Sequence, residues 1–354
     1  MTTITPALRA LLHELVDTGR VPGLALAVQP DDGPIEHVAV GSDAAGQPLT
    51  EQSLFIVASI TKMATALAVL RLVDRGLLAL DDQLSDHLPS ALAAQDGVTI
   101  RSLLCHTSGL PIDIPPELAP YAPGLTWAAL AEAALLTPPE AAPWARVQYS
   151  NVGYGLLALV AQERAGLPFA DLLAQQVLAP LGIEGYLGVE PPRPVARLAD
   201  VRGDRARDAE LQPFNSPFYR SLALPWAGLV TSPAGALAIV RAFAGFPQGF
   251  LGEPLRREAV ADQTRGLGGG FQPPLIWHPC PWGLGPELRG AKEPHWTPSA
   301  ASPASFGHSG ASGCVAWHDP ERRISWALIG TRTAENGWLL RRGSAVATLL
   351  LGQG

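Results

Sequence analysis

Ser59 and Lys62 stand three residues apart in the stretch LFIVASITKMATALAVLRLVDRGLL, residues 54 to 78, where a long apolar segment begins. Residues i and i+3 share one face of a helix, so the hydroxyl and the amine become neighbours. A serine hydroxyl is a weak nucleophile until a neighbour takes its proton. A lysine does that when burial or a second cation lowers its pKa. The helix start adds the positive end of the dipole, which stabilises a developing anion. The plainer alternative makes Ser59 an N-cap and Lys62 a solvated first-turn residue. Two features favour chemistry. The flanks are apolar, from Leu54 to Val57 before the pair and from Met63 to Leu67 after it. In addition, only Lys62 and Lys292 among the 25 basic residues are lysines, so a deprotonatable amine is kept where arginine otherwise serves as the cation.

Two further groups have the types such chemistry needs. Tyr149-Ser150-Asn151 lies in VQYSNVGYG, just before a predicted helix. A tyrosine relays a proton when cations favour its phenolate, and the Asn151 amide can orient a lysine and a substrate carbonyl. The alternative has Asn151 capping the helix and Tyr149 packed in the core. His308-Ser309-Gly310 lies in ASFGHSGASG, where flanking glycines let backbone approach a ligand closely. The N–H groups of Ala311 and Ser59 are candidate oxyanion donors. The alternative is a glycine-rich turn with an incidental histidine.

Taken in this order, Ser59-x-x-Lys62, Tyr149-Ser150-Asn151 and His308-Ser309-Gly310 resemble the signature set of the serine β-lactamase and penicillin-binding-protein superfamily. The chain is most similar to the branch holding class C β-lactamases, family VIII carboxylesterases, D-amino-peptidases and amide hydrolases. The segments LLCHTSGLP, PWAGLVTSPAGALAIVRAF and WGLGPEL also resemble recurring stretches of that branch. The resemblance covers residues 8 to 350 or so. It implies that Ser59 is acylated, that Lys62 and Tyr149 share general-base and general-acid duty, and that Asn151, His308, Ser309 and Gly310 bind substrate or support the site. It leaves open whether Lys62 or Tyr149 takes the first proton. His106, in the HTSG loop, reads as structural. A lysine in the third motif would be a fixed cation suited to a carboxylate-bearing substrate. His308 is mostly neutral at pH 7, so the expected substrate is a small ester, with amides and β-lactams weaker. The alternatives are a β-lactamase, a D-amino-peptidase or amidase, a penicillin-binding sensor that is acylated once, and an acyltransferase.

The elements that must hold these residues follow from periodicity. Residues 6–20 predict an amphipathic helix, followed by two strands around a turn at Asp31-Asp32-Gly33. Helices are expected over 59–75, near 126–136, after Asn151 and from Phe169 to Gly182. Residues 187–225 and 263–304 look irregular. A strand pair around Asp319-Pro320 and a helix near 336–351 end the chain. The fold class is therefore α+β and β-lactamase-like: an antiparallel sheet flanked by terminal helices, with a helical domain inserted. The expected division is 1–80 with 225–354 for the sheet and 81–224 for the helices. Trp277, Trp282 and Trp296 either form an apolar acyl or alcohol pocket or are exposed packing residues, with neither reading favoured.

Composition removes other classes. The 354 residues are 47% hydrophobic and 16% charged, with a formal net charge of −7. That is a globular composition, and without a basic cluster no nucleic-acid partner is expected. No apolar run is long enough for a bilayer, and the first residues lack a secretory pattern, so the expectation is a cytoplasmic location with no membrane partner. Cys105, Cys280 and Cys314 form no CxxC pair, so neither a disulfide framework, a metal nor another cofactor is expected. GHSGAS is not read as a nucleophile elbow, because the required acid and histidine do not follow in order. GLGGG precedes FQPPL rather than a helix, which removes a dinucleotide reading. WHPCPW has no matching ligand pair nearby.

Overall fold

The computed structural model describes residues 3–352. Its centre is a six-stranded antiparallel sheet made from both ends of the chain. The strands are β1 (Gly23–Pro30), β2 (Glu36–Gly41), β3 (Glu287–Leu288), β4 (Phe306–Gly310), β5 (Cys314–Asp319) and β6 (Ile324–Gly330). Their spatial order is β2-β1-β6-β5-β4-β3. The two predicted turns join β1 to β2 and β5 to β6.

Strand side chains alternate between faces, and here the two faces differ in size. Leu24, Leu26 and Val28 of β1, Val315 and Trp317 of β5, and Trp326 and Leu328 of β6 point to one core. That core is closed by α1 (Pro6–Asp17) and the C-terminal helix. Thr5 starts α1 by accepting the Leu8 N–H at 3.2 Å, with Pro6 at the first helical position. Ala25, Ala27, Ala316 and Ala327 point to the other core. Register places Ala27 beside Ala327 and Ala327 beside Ala316, so a row of alanines crosses three strands. This row leaves room for the helix Pro233–Ala244, which packs across β1, β5 and β6.

The predicted helix after Ser59 is α2 (Ile60–Asp74). Every residue from Ile60 to Leu70 is buried, as befits a helix covered on all sides. It packs against β4 on one side and against the helix Asn151–Ala165 on the other. Residues 81–224 carry helices and only the two-residue strands Val147–Gln148 and Gly185–Tyr186. Within the irregular 187–225 stretch, Pro217–Ser221 forms a short helix. The last predicted helix begins as a 3-10 turn at Ala334–Asn336, widens to a π turn at Leu339–Gly343 and is α-helical over Ser344–Leu350. Among the described residues, no helix is long and apolar enough to cross a membrane.

Short pairings bring distant segments to the site. Phe55–Ile56 pairs with Val230–Thr231, and the Val57 N–H donates to the Leu229 carbonyl at 2.9 Å. Val147–Gln148 pairs with Gly269–Gly270, which lashes the 263–304 stretch to the segment carrying Tyr149.

The alanine row generates a stability test. Ala327→Leu adds three carbons where the helix and sheet already touch, and is expected to cost about 1–3 kcal/mol. Urea unfolding reads this directly, and an unchanged midpoint would show that the Pro233–Ala244 helix tolerates a larger spacing.

Candidate active site

Ser59 occupies the N-cap position of α2, but its side chain makes no capping bond. The hydroxyl is therefore free for other work, and the capping alternative does not hold. Lys62 is fully buried rather than solvated. Its Nζ lies 2.5 Å from Asn151 Oδ1, 3.1 Å from the Trp226 carbonyl and 3.5 Å from Ser59 Oγ. The Asn151 amide is oriented by Asp113, whose Oδ1 accepts from Asn151 Nδ2 at 2.5 Å. A carboxylate only accepts, so the amide oxygen is the atom left facing Lys62. Burial drives the Lys62 pKa well below an ordinary lysine's value, against the opposing pull of Asp113.

The Tyr149-Ser150-Asn151 segment is fixed by its neighbours. Ser150, not Asn151, caps the following helix, its Oγ accepting the Gly153 N–H at 3.0 Å. A residue at the first helical position has no capping duty, so Asn151 is available to Lys62. The Ser150 hydroxyl donates to the Pro111 carbonyl at 2.7 Å, and the Asn151 N–H to the Ile112 carbonyl at 2.7 Å. His106 accepts the Ser150 N–H at its Nδ1, 3.1 Å away, and its own carbonyl takes the Gln148 N–H at 2.8 Å. The HTSG loop is thus the clamp on the Tyr149 segment. Lys62 Nζ sits 4.5 Å above the centre of the Tyr149 ring. The Tyr149 hydroxyl is buried and, among the described residues, has no hydrogen-bond partner of good geometry. Burial raises its pKa, the nearby Ser59 hydroxyl opposing that rise, so the phenol rests protonated.

His308, Ser309 and Gly310 are the last residues of β4, a strand rather than the glycine-rich turn considered above. Alternation sends His308 inward and Ser309 toward the cleft. His308 Nδ1 lies 2.6 Å from the Ser309 carbonyl. A carbonyl only accepts, so Nδ1 carries the proton. Burial pushes the His308 pKa down to about 4. Ala311 follows on the turn into β5. Among the described residues, no group takes the N–H of Ala311 or of Ser59. Both residues line the same cleft. Ala58, just before Ser59, has φ +41°, a strained setting for a side-chain-bearing residue, and it sets the direction of the Ser59 N–H.

The cleft above these groups has a volume of about 1100 Å³. Phe271, Leu275, Ile276, Trp296 and Leu339 supply its apolar wall. Trp296 fits the pocket reading, while Trp277 and Trp282 are buried behind the cleft, against Lys292. Lys292 is itself fully buried, so the scarcity of lysine does not single out Lys62. Asp113, Ala58, Phe271 and the Trp226 carbonyl carry no signal in the sequence, since each depends on long-range pairing or backbone conformation.

The Beta-lactamase family model matches residues 8–347. Esterase EstB of Burkholderia gladioli is 32% identical, over 64% of this chain and 67% of that protein. A β-lactamase of Mycobacterium bovis, Mb2281c, superposes with a TM-score of 0.69 at 25% identity, covering 97% of this chain and 98% of the other. The D-amino acid amidase of Ochrobactrum anthropi, bound to D-phenylalanine, has a TM-score of 0.78 at 22% identity, over 99% and 98% of the two chains. At that identity the amidase attests to the fold. These matches make the chain a serine hydrolase. It belongs to the β-lactamase family.

Two tests follow from this geometry. A Cβ on Gly310 would fall 2.5 Å from Cys314 Sγ and 2.7 Å from the Val57 carbonyl. Gly310→Ala is therefore expected to push the Ala311 turn away from Ser59 and lower kcat at least about tenfold, equivalent to roughly 1.4 kcal/mol of barrier. Steady-state kinetics check this, and wild-type kcat would detach the turn from catalysis. The second test is acid stability. Burial lowers the pKa values of His106, His295, His308 and His318, to about 4 for the last two. The unfolded chain protonates them near ~6.5, so it binds more protons below that pH. Their stabilising contribution is complete above about 6.5 and is lost as pH falls toward 4. A melting temperature that drops between pH 7 and pH 5 is expected, and a flat profile would contradict neutral buried histidines.

Proposed function

We propose that this protein hydrolyses small, uncharged carboxylic esters through an acyl-enzyme on Ser59. The observation that carries the reading is the hydrogen-bond valence of Lys62. A neutral amine has two N–H donors and one lone pair. Asn151 Oδ1 and the Trp226 carbonyl, both acceptors, take the two N–H groups. The lone pair is left for the Ser59 hydroxyl, 3.5 Å away. Low pKa and geometry support Lys62, rather than Tyr149, as the first base.

In this mechanism Lys62 takes the Ser59 proton as Oγ attacks the ester carbonyl. The N–H groups of Ser59 and Ala311 hold the oxyanion. The protonated Tyr149 phenol gives its proton to the departing alkoxide and is reprotonated by the Lys62 ammonium. Water then attacks the acyl-enzyme and repeats the sequence.

Two features support neutral esters. The third motif supplies a neutral His308, so it offers no fixed cation to a substrate carboxylate. In addition, the cleft is lined by Asp113, Glu140 and Glu335 against a single arginine, Arg146. Arg146 is already engaged with Gln148 Oε1 at 2.8 and 3.0 Å. An anionic β-lactam meets net repulsion there, and EstB, by its name an esterase, points the same way.

Steady-state hydrolysis of p-nitrophenyl butyrate by wild type and Ser59→Ala tests the reading, with turnover expected only in the wild type. A cephalosporin with higher kcat/KM than any short-chain ester would overturn the substrate assignment. Lys62→Arg keeps a nitrogen base in place but one that cannot surrender its proton. It is expected to lose about 10²–10⁴ in kcat, the range of a general base, and so to match Lys62→Ala. An active arginine variant would remove the lysine from proton transfer.

A further inference from the structure

The second lysine is the starting point. Lys292 and Glu287 are both fully buried and paired at 2.9 Å. A buried ion pair is often no more stabilising than an apolar replacement, so its retention calls for another account. Glu287 Oε2 also accepts the Trp296 indole N–H at 3.3 Å, and Oε1 lies 3.4 Å from His295 Nε2. Burial holds His295 neutral against the pull of Glu287. Burial alone would raise the Glu287 pKa, but Lys292 and His295 overcome it and keep Glu287 ionised.

The pair stands directly behind the catalytic groups, separated from them by one indole. Lys292 Nζ lies 4.9 Å from the Trp282 ring centre, within cation–π reach, and 4.9 Å from that of Trp277. Trp282 is fully buried and anchored by its N–H to the Gly285 carbonyl at 3.1 Å. Its ring centre is 4.9 Å from His106, 5.6 Å from His308 and 5.9 Å from Tyr149. Glu287, on β3, is in register with Gly307, next to His308. Trp282 and Glu287 both belong to the segment WGLGPEL, which the acyl-enzyme mechanism leaves without a role.

We propose that Glu287, Lys292 and Trp282 are positioning residues for the reaction, Trp282 seating the Tyr149 and His308 rings while the paired charges cancel each other's field at the proton-transfer groups. This rests on the acyl-enzyme reading above. The field reaches the catalytic layer through low dielectric. Glu287 acts on Tyr149, His106 and His308, and Lys292 acts on His106 and His308. The other titratable groups facing that layer are Lys62 and Asp113. Arg289 lies on the far side, next to His295, and donates to the Lys292 carbonyl and to Glu293.

The test is the pH profile of kcat/KM for p-nitrophenyl butyrate in Lys292→Met, Glu287→Gln and the double variant. Losing the cation raises the pKa values of His106 and His308, so Lys292→Met is expected to move the profile alkaline. Losing the anion lowers those of His106, His308 and Tyr149, so Glu287→Gln is expected to move it acid, by on the order of 0.5–1 pH unit. The alkaline shift is the smaller, because His295 can take up a proton beside the orphaned Glu287. The double variant is expected to return the midpoint to its wild-type position. A merely structural pair would lower amplitude without opposite shifts, and shifts in one direction, or none, overturn the proposal. An unpaired buried charge is strongly destabilising. If a single variant does not fold, Trp282→Phe decides, with kcat expected to fall at least tenfold and KM to stay within about threefold. Unchanged kcat overturns the proposal. Turnover that persists in Ser59→Ala would instead defeat the acyl-enzyme reading, so the two failures are distinct.

Discussion

One amine organises the structure around it. Lys62 is sealed from water, and a charged ammonium in that place would need full compensation. The surroundings supply two carbonyl oxygens, from Asn151 and Trp226, and one hydroxyl, from Ser59. Those three oxygens meet the hydrogen-bonding needs of the buried nitrogen. Each partner comes from a different part of the chain, so the site exists only when the chain is fully folded. The helix α2 brings Ser59 and Lys62, the helix after Ser150 brings Asn151, and the strand pairing at Val230 brings the Trp226 carbonyl.

The sheet provides the fixed frame. Its alanine row lets helices settle close on one face, while leucines and tryptophans fill the other. β4 runs through that frame and ends at Gly310, so its register decides where Ser309 and Ala311 meet Ser59. A slip of one residue would exchange His308 and Ser309 between core and cleft. Pairing of β4 with β5 along its whole length, Phe306 with His318 through Gly310 with Cys314, makes that slip costly.

Much of this was legible before folding was known, and the physical reason is locality. The helix period makes Ser59 and Lys62 neighbours from sequence alone. The turns at Asp31-Asp32-Gly33 and Asp319-Pro320, and the alternation in the last two strands, are local patterns as well. Cap assignment was less secure: two adjacent polar residues, Ser150 and Asn151, compete for one position, and only backbone geometry shows that Ser150 takes it. The Asp113 carboxylate was hidden because nothing near it in sequence reveals a partner 38 positions away. The placement of the tryptophans is hidden for a related reason. An aromatic-rich loop reads as a pocket wall or as exposed packing, yet Trp277 and Trp282 turn inward to enclose Lys292, and Phe271 takes the wall instead.

The two lysines illustrate opposite solutions to burial. Among the described residues no carboxylate pairs with Lys62, and Asp113 is linked to it through the Asn151 amide. Desolvation therefore prevails and the amine is pushed toward neutrality. Lys292 has a carboxylate at 2.9 Å and two indole faces within reach, a setting that stabilises the cation. An arginine at position 62 would hold its proton against any burial, and its planar fork does not match one tetrahedral nitrogen facing three oxygens. The Trp282 ring lies between the two regimes, close to the rings of Tyr149 and His308 on one side and to the Lys292 ammonium on the other.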